Sequence, residues 1–180
     1  MKKLTVLVLV LMMALSVAAM AEQPTIETVN WEDLTAVEDM AALAANGEFQ
    51  ELTDIGLKIW IPNGLTQVET EGTAYLFTDE EGTSGVSVFV DDAPEGLDPM
   101  DPEALYAYIN ASGAMDVTPS AVNGIFAVAY KLGDETHPQF CITYGADNGK
   151  VITFVIDVAD QTNQIEMAAM YLILASISAI

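Results

Sequence analysis

Two segments rich in apolar, strand-forming residues are each interrupted by a tight-turn signal, and they predict consecutive β-hairpins. In the first, Asn123-Gly124 separates Ala121-Val122 from the strand Ile125–Leu132. In the second, Asp147-Asn148-Gly149 separates residues 139–144 from residues 150–158. A two-residue hairpin turn requires positive φ, which Asn and Gly accept most readily, so Asn-Gly is a strong hairpin signal. These hairpins are the part of the chain around which the fold is predicted to form.

The first predicted helix spans residues 31–46. Asn30 is placed to cap it, because a short polar side chain can accept a hydrogen bond from the first helical turn. Leu34 and Ala41 lie on an apolar face that keeps the helical period. Gly47 is predicted to end the helix, since glycine accepts the left-handed conformation common after a helix.

Two further helices and four further strands complete the pattern. Asp101 and Pro102 form the start signal of a helix that runs to about residue 112. A terminal helix begins at Asp160 or Thr162 and continues to the end of the chain. The additional strands, separated by turn-forming residues, span 48–52, 57–61, 73–78 and 84–90.

The strand over residues 150–158 indicates how the sheet is covered. Ile152, Phe154 and Ile156 share one face, whereas Val151 and Val155 supply an opposite face that is also apolar. A sheet with one face in water would alternate more cleanly between apolar and polar residues. The predicted fold is therefore α+β, an antiparallel β-sheet covered by helices on both faces, that is, an α/β/α sandwich.

Residues 1–21 have the features of a secretory signal peptide. Two lysines precede an apolar run, and the small-x-small pattern Ala19-Met20-Ala21 follows it. The alternative is an uncleaved membrane anchor, but a span needs about 20 apolar residues. Residues 22–29 are predicted to be an extended leader and residues 30–180 a single domain. The protein is expected to be exported, to the periplasm or the extracellular space, with no membrane attachment after cleavage.

The charge of the chain excludes some partners. After residue 21, three lysines face 27 acidic residues, a net charge of −24, and the chain contains no arginine. Such a surface repels nucleic acid and anionic membranes, because neutralising phosphates requires clustered Lys or Arg. The single cysteine, Cys141, cannot form an internal disulfide.

The order of predicted elements resembles the PsbP/Mog1-like family of α/β/α sandwiches, including its bacterial exported members. The residues that carry the resemblance are the strand Leu57–Pro62, the hairpin over residues 121–125, and residues 151–155 followed by a helix ending at residues 175–177. It covers roughly residues 48–177. The resemblance implies a non-enzymatic binding or accessory domain, and no functional motif of the family can be matched to particular residues.

Catalytic chemistry finds little support in the sequence. His137 and Cys141 are four residues apart and, on an extended strand, would lie about 13 Å apart, too far for the hydrogen bond of a nucleophile pair. The serines lack a strand-to-helix nucleophile elbow, and His137 is the only histidine available as a base. No catalytic residue, metal ligand set or cofactor is assigned, and a hydrolase of unknown type is kept only as an alternative.

The candidate ligand-binding residues are Asp91, Asp92, Glu95 and Asp98, in a predicted loop after the strand at 84–90. The favoured function is an exported, non-enzymatic binding or accessory domain that interacts with an extracellular or envelope protein or with a cationic ligand. The alternative is a calcium-binding structural module, since calcium is bound by clustered oxygen ligands. Nothing in the sequence defines the oligomeric state.

The calcium alternative makes a testable prediction. Ca²⁺ at 100 times its dissociation constant would stabilise the folded protein by about 2.7 kcal/mol, because it would bind the folded state alone. Thermal unfolding with millimolar Ca²⁺ should then show a rise in Tm that Mg²⁺ at matched ionic strength does not produce. The double substitution Asp91→Asn with Asp92→Asn should abolish the rise. An equal response to both cations would mean charge screening and would leave the acidic residues as a solubility feature.

Overall fold

The computed structural model describes residues 25–134 and 137–180. The predicted signal peptide and the first three residues of the predicted leader lie outside the described residues. Within the described ranges, the strands, numbered in chain order, are β1 (Glu27–Val29), β2 (Gly47–Leu52), β3 (Leu57–Pro62), β4 (Thr66–Gln67), β5 (Tyr75–Thr78), β6 (Gly85–Asp92), β7 (Met115–Val122), β8 (Ile125–Leu132), β9 (Gln139–Ala146), β10 (Lys150–Asp157) and β11 (Ser178–Ala179). The α-helices are α1 (Trp31–Thr35), α2 (Glu38–Ala44), α3 (Pro102–Ala111) and α4 (Gln164–Ser176).

Eight of these strands form one large sheet in the order β1-β7-β8-β9-β10-β6-β5-β4. All neighbours are antiparallel except β1, which pairs with β7 in parallel. The two predicted hairpins, β7–β8 and β9–β10, lie next to each other near the centre of the sheet, as expected. The turn residues Asn123 and Gly124 have φ values of 48° and 82°, which confirms the predicted primed turn.

The large sheet is buried on both faces, which confirms the predicted α+β sandwich. Ile152, Phe154 and Ile156 join the larger hydrophobic cluster on one side. Val151 and Val155 join a second cluster on the other side, where α3 packs with Leu105 and Ile109. The N-cap of α3 is the predicted one, since the Asp101 carboxylate accepts hydrogen bonds from the backbone N–H groups of Glu103 and Ala104 at 2.9 and 3.3 Å.

Helix α4 is the central layer of the larger cluster. Every residue from Met167 to Ser176 is buried, so this helix is apolar all round rather than amphipathic. On the side of the large sheet, Tyr171 of the helix packs against Phe140 of β9, with the two ring centroids 5.3 Å apart. On its other side, the Ser176 hydroxyl accepts a 2.7 Å hydrogen bond from the backbone N–H of Trp60 in β3. The helix thus lies between the large sheet and a second layer.

The second layer is a β-sheet, whereas the sequence analysis predicted a single antiparallel sheet. The predicted strands over 48–52 and 57–61 do form a hairpin, β2–β3, but they belong to a separate three-stranded sheet with β11.

The terminal helix starts at Gln164, later than predicted, because the Asn163 side chain caps it. It also ends before the terminus, and the chain then returns as β11 to pair with β3.

The predicted helix over residues 31–46 is wrong as a continuous element. The chain forms two short helices, α1 and α2, separated by the extended residue Val37. The Thr35 hydroxyl donates to the Trp31 carbonyl at 2.9 Å, and side-chain bonds of this kind compete with a continuing helix. Gly47 does not end a helix but begins β2, where the Trp60 ring leaves no room for a Cβ atom.

The predicted cap of this region is also replaced. The Asn30 amide donates to the Asp33 carboxylate at 2.9 Å and makes no capping bond to the backbone. Instead, the Asn123 side-chain oxygen accepts a 2.8 Å hydrogen bond from the backbone N–H of Trp31. The same Asn123 amide donates to the carbonyls of Ala175 and Ile177 at 2.9 and 2.8 Å. One turn residue therefore binds both the start of α1 and the end of α4.

This network predicts a large effect from a single substitution. Asn123→Gly keeps a residue suited to positive φ but loses three hydrogen bonds, so we expect the free energy of unfolding to fall by about 2–4 kcal/mol. Asn123→Ala should lose about 1 kcal/mol more, because alanine is strained in the left-handed conformation. Chemical denaturation measures both.

The matched control is Asn148→Ala, at the exposed turn of the second hairpin. We expect this change to stay within about 0.5 kcal/mol of the parent protein. Equal losses at Asn123 and Asn148 would contradict the bridging role of Asn123.

Candidate functional site

The structure separates the four acidic residues that the sequence groups in one loop. Asp91 and Asp92 are not loop residues but the last two residues of β6, while Glu95 and Asp98 follow the strand. Successive strand residues point to opposite faces of a sheet, so the carboxylates of Asp91 and Asp92 diverge. Among the described residues, no group of three or more His, Cys, Asp or Glu side chains is arranged to hold a metal ion. Calcium binding stays a prediction.

Two of these carboxylates have protein partners. Asp92 accepts a 2.8 Å hydrogen bond from the Lys150 ammonium, and this bond, together with the lysine charge, holds the pKa of Asp92 below its usual value. Asp98 accepts a 3.0 Å hydrogen bond from the backbone N–H of Met100. The Asp92 side chain is 89% exposed, so its pair with Lys150 is a surface ion pair.

Cys141 and His137 do not form a nucleophile pair. Cys141 lies in β9 with 1% of its surface exposed and packs in the smaller cluster against α3. Burial, and to a lesser extent the Asp157 charge, raises the pKa of the Cys141 thiol to about 12. His137 is an exposed residue in the segment before β9, where its backbone N–H donates to the Asp134 carboxylate. Cys141 is therefore a residue of the hydrophobic core.

A cavity of about 410 Å³ is the feature that sequence analysis missed. It lies between the β1–α1 segment, the ends of β7, β8 and β9, and helix α4. Small side chains leave this space open, because Ser120, Ala129 and Ala175 stand where larger residues would fill it. Its volume falls in the range of ~300–1,000 Å³ typical of small-molecule sites.

The walls of this cavity are mainly apolar. The β1–α1 segment, the strands β7 to β9 and helix α4 all contribute apolar side chains. These are Val29, Leu34, Val122, Ala129, Phe140, Ile142 and Leu174. Tyr130 and Cys141 also line the cavity, but their side chains pack in the cluster on the opposite face of the sheet. The Cys141 thiol is therefore not part of the cavity chemistry.

One end of the cavity is polar and carries an ion pair. The Lys131 ammonium lies 2.6 Å from the Asp116 carboxylate and 5.8 Å from the centroid of the Phe140 ring. Tyr171 packs edge-on against the same ring, and only 5% of its surface is exposed. Burial raises the pKa of Tyr171, and the nearby Asp116 charge raises it further. This end thus combines a carboxylate, an ammonium group and a neutral phenol.

The other charged groups of the cavity lining are acidic. Glu27 comes from β1 and Asp33 from α1, beside the Asn30 amide. Partial burial raises the pKa of Glu27. Three carboxylates therefore face one lysine around an apolar space.

The lining of the cavity contains one serine, Ser120. It is buried, but His137 is not among the lining residues. A serine nucleophile needs a base within hydrogen-bond reach, and among the described residues neither Lys131 nor a lining carboxylate forms a hydrogen bond with the Ser120 hydroxyl. The arrangement is suited to holding a ligand.

The order of elements and the layers define a PsbP-like α+β fold. Among solved structures, the chain is similar to cyanobacterial PsbP (CyanoP) from Synechocystis sp. PCC 6803, with a TM-score of 0.54 and 16% identity over 76% of this chain and 94% of that one. It also matches a crystal structure from Bacteroides thetaiotaomicron, with a TM-score of 0.39 and 14% identity over 69% of this chain and 45% of that one. At these identities the likeness to CyanoP shows the fold, and the relation to Mog1 stays a prediction.

Comparison by sequence gives no family assignment. No protein-family profile matches the chain, and no curated protein matches it. In the two described ranges, no helix has both the length and the hydrophobicity needed to cross a membrane.

The burial of Cys141 predicts an inert thiol. At pH 8 a group with a pKa near 12 is about a thousandfold less ionised than a free cysteine, and the thiolate is the form that reacts. Alkylation by iodoacetamide should therefore be at least about a thousandfold slower in the native protein than in the protein unfolded in guanidinium chloride. Mass spectrometry of timed samples measures both rates, and a native rate within tenfold of the unfolded one would contradict this assignment.

Proposed function

We propose that the protein is an exported, non-enzymatic binding domain whose ligand site is the cavity between β1–α1, β7–β9 and α4. The observation that supports this proposal is the combination of an apolar space of about 410 Å³ with a few polar groups at its ends. Ligand sites commonly have this form, with apolar walls for affinity and few polar groups for orientation.

Several features favour binding over catalysis. The cavity lacks a histidine, and the Cys141 thiol packs on the other side of the sheet. The PsbP-like fold agrees with the accessory role that the sequence resemblance implied. A hydrolase would need a nucleophile with an adjacent base, and the cavity lining supplies no such pair.

The assignment to an exported protein rests on residues 1–21, whose charged start, apolar run and small-residue site are typical of a signal peptide. An extracellular or envelope protein is a further candidate partner, bound through one or more of the acidic residues Asp91, Asp92, Glu95 and Asp98 at and after the end of β6. The cavity adds a ligand site that this surface prediction did not include.

A neutral apolar fluorescent probe tests the proposal. N-phenyl-1-naphthylamine should bind the purified protein with increased fluorescence, because the apolar walls exclude water from the probe. In the series Ala129→Val and Ala129→Leu, each larger side chain reduces the cavity, so the dissociation constant of the probe should rise stepwise, at least tenfold for leucine. Ala129 lies in the cavity wall with 6% of its surface exposed.

Ala107→Leu, on the exposed side of α3, is the matched control and should leave probe binding unchanged. Thermal unfolding shows that each variant is folded under the binding conditions. Absence of probe binding to the parent protein, or equal binding to folded Ala129→Leu, would overturn the proposal.

A further inference from the structure

The charges around the cavity distinguish between classes of ligand. Glu27, Asp33 and Asp116 contribute three carboxylates, and Lys131 contributes the one ammonium group of the lining. The chain as a whole carries a net charge of −22. An anionic ligand would meet repulsion both at long range and in the cavity, whereas a cation would meet attraction.

Lys131 shows which contacts a cation can make there. Its ammonium bonds to Asp116 at 2.6 Å and lies 5.8 Å from the Phe140 ring centroid, within the distance of a cation–π interaction. A carboxylate beside an aromatic face is a recognised combination for binding organic ammonium groups. In the structure, the ammonium group of Lys131 occupies this position.

The Tyr171 hydroxyl adds a further polar contact at the same end. Among the described residues, none forms a hydrogen bond with it, although the side chain is 95% buried and lines the cavity. Its oxygen is not one of the fully buried, unpartnered side-chain atoms among the described residues, which are Thr73 Oγ1 and Tyr144 Oη, so the hydroxyl is accessible from the cavity and free to bond to a bound group. The phenol lies near the Asp116 carboxylate, whose charge raises its pKa.

The position of Asp116 is itself unusual. Its φ is 52°, in the left-handed region, and it lies where the register of β7 with β8 shifts between Met115 and Thr118. Bulges of this kind re-aim side chains and recur beside functional sites, and non-glycine residues in this region store strain. Here the bulge directs the carboxylate towards Lys131 at the cavity end.

From these contacts we infer that the cavity binds an organic cation with an apolar body, and that Lys131 is a tethered competitor for the ammonium position. The ligand's apolar part lies against the walls, and its ammonium group binds Asp116 and the Phe140 ring. The Lys131 ammonium, on a flexible four-carbon stem, moves out to solvent, which its partial exposure of 25% permits. This inference rests on the proposed function and specifies its ligand class.

Three eight-carbon compounds with different head groups test the inference. Octylammonium, octanol and octanoate are titrated against the protein at pH 7, and each is followed by displacement of N-phenyl-1-naphthylamine and by the shift in Tm. We expect octylammonium to bind at least tenfold more tightly than octanoate, with octanol in between. Binding that is tighter for octanoate, or equal for all three, would overturn the cation preference and leave the apolar site intact.

Two substitutions give opposite predictions. Asp116→Asn should weaken octylammonium binding at least tenfold while leaving octanol unchanged, and asparagine also accepts the left-handed conformation. Lys131→Met should tighten octylammonium binding several-fold, because it removes the competitor and keeps the apolar stem. Weaker octylammonium binding to folded Lys131→Met would overturn the competitor role.

The second ion pair of the chain supplies matched controls. Asp92→Asn and Lys150→Met make the same charge changes in a surface pair with a 2.8 Å contact, and neither residue lines the cavity. Both should leave the order and strength of binding unchanged. If the control variants shift octylammonium affinity as much as the cavity variants, the preference comes from net charge alone and the inference is wrong. Failure of octanol and the neutral probe to bind would instead overturn the proposed function, and this inference with it.

Discussion

The hydrogen bonds of the Asn123 side chain join parts of the fold that are far apart in the sequence. This residue occupies the first position of a primed hairpin turn, and its amide bonds to Trp31, Ala175 and Ile177. The partners are one N–H at the start of α1 and two carbonyls at the end of α4, groups that a helix leaves without intrahelical partners. The backbone N–H of Asn123 also donates to the Val29 carbonyl at 2.9 Å. A turn that pairs two strands thus also fixes the entry and exit of the α-helical layer.

The same constraint creates the cavity. Its outer wall is the β1–α1 segment, which is held to the large sheet by the parallel pairing with β7 and by Asn123. Asp116 and Asn123, the two non-glycine residues with positive φ among those described, lie at opposite ends of β7. One anchors the wall, and the other presents the carboxylate at the polar end.

The local parts of this fold were predictable, and the non-local parts were not. Asn123-Gly124 predicts its turn because the φ preference belongs to the two residues themselves, and two apolar faces in β10 predict cover on both sides. The pairing of β11 with β3 involves only two residues of β11, too few for a periodic signal. The cavity lining runs from Glu27 to Ala175, so no short motif contains it. The one local clue, Asn-Gly, was fully explained by the turn and gave no sign that its side chain also bridges two helices.

The scarcity of lysine gives the ion pair at the cavity its significance. Each of the three lysines among the described residues has a partner: Lys150 bonds to Asp92, Lys58 lies 5.8 Å from the Phe49 ring centroid, and Lys131 bonds to Asp116. Two of these contacts are at the surface, where a charged group gains little from its partner. The Lys131–Asp116 pair is partly exposed as well, with 25% and 41% of the two side chains accessible, but it differs in lying at the polar end of the apolar cavity. The lining carries three carboxylates, from Glu27, Asp33 and Asp116, against this one ammonium group, so its charge stays negative and attracts cations.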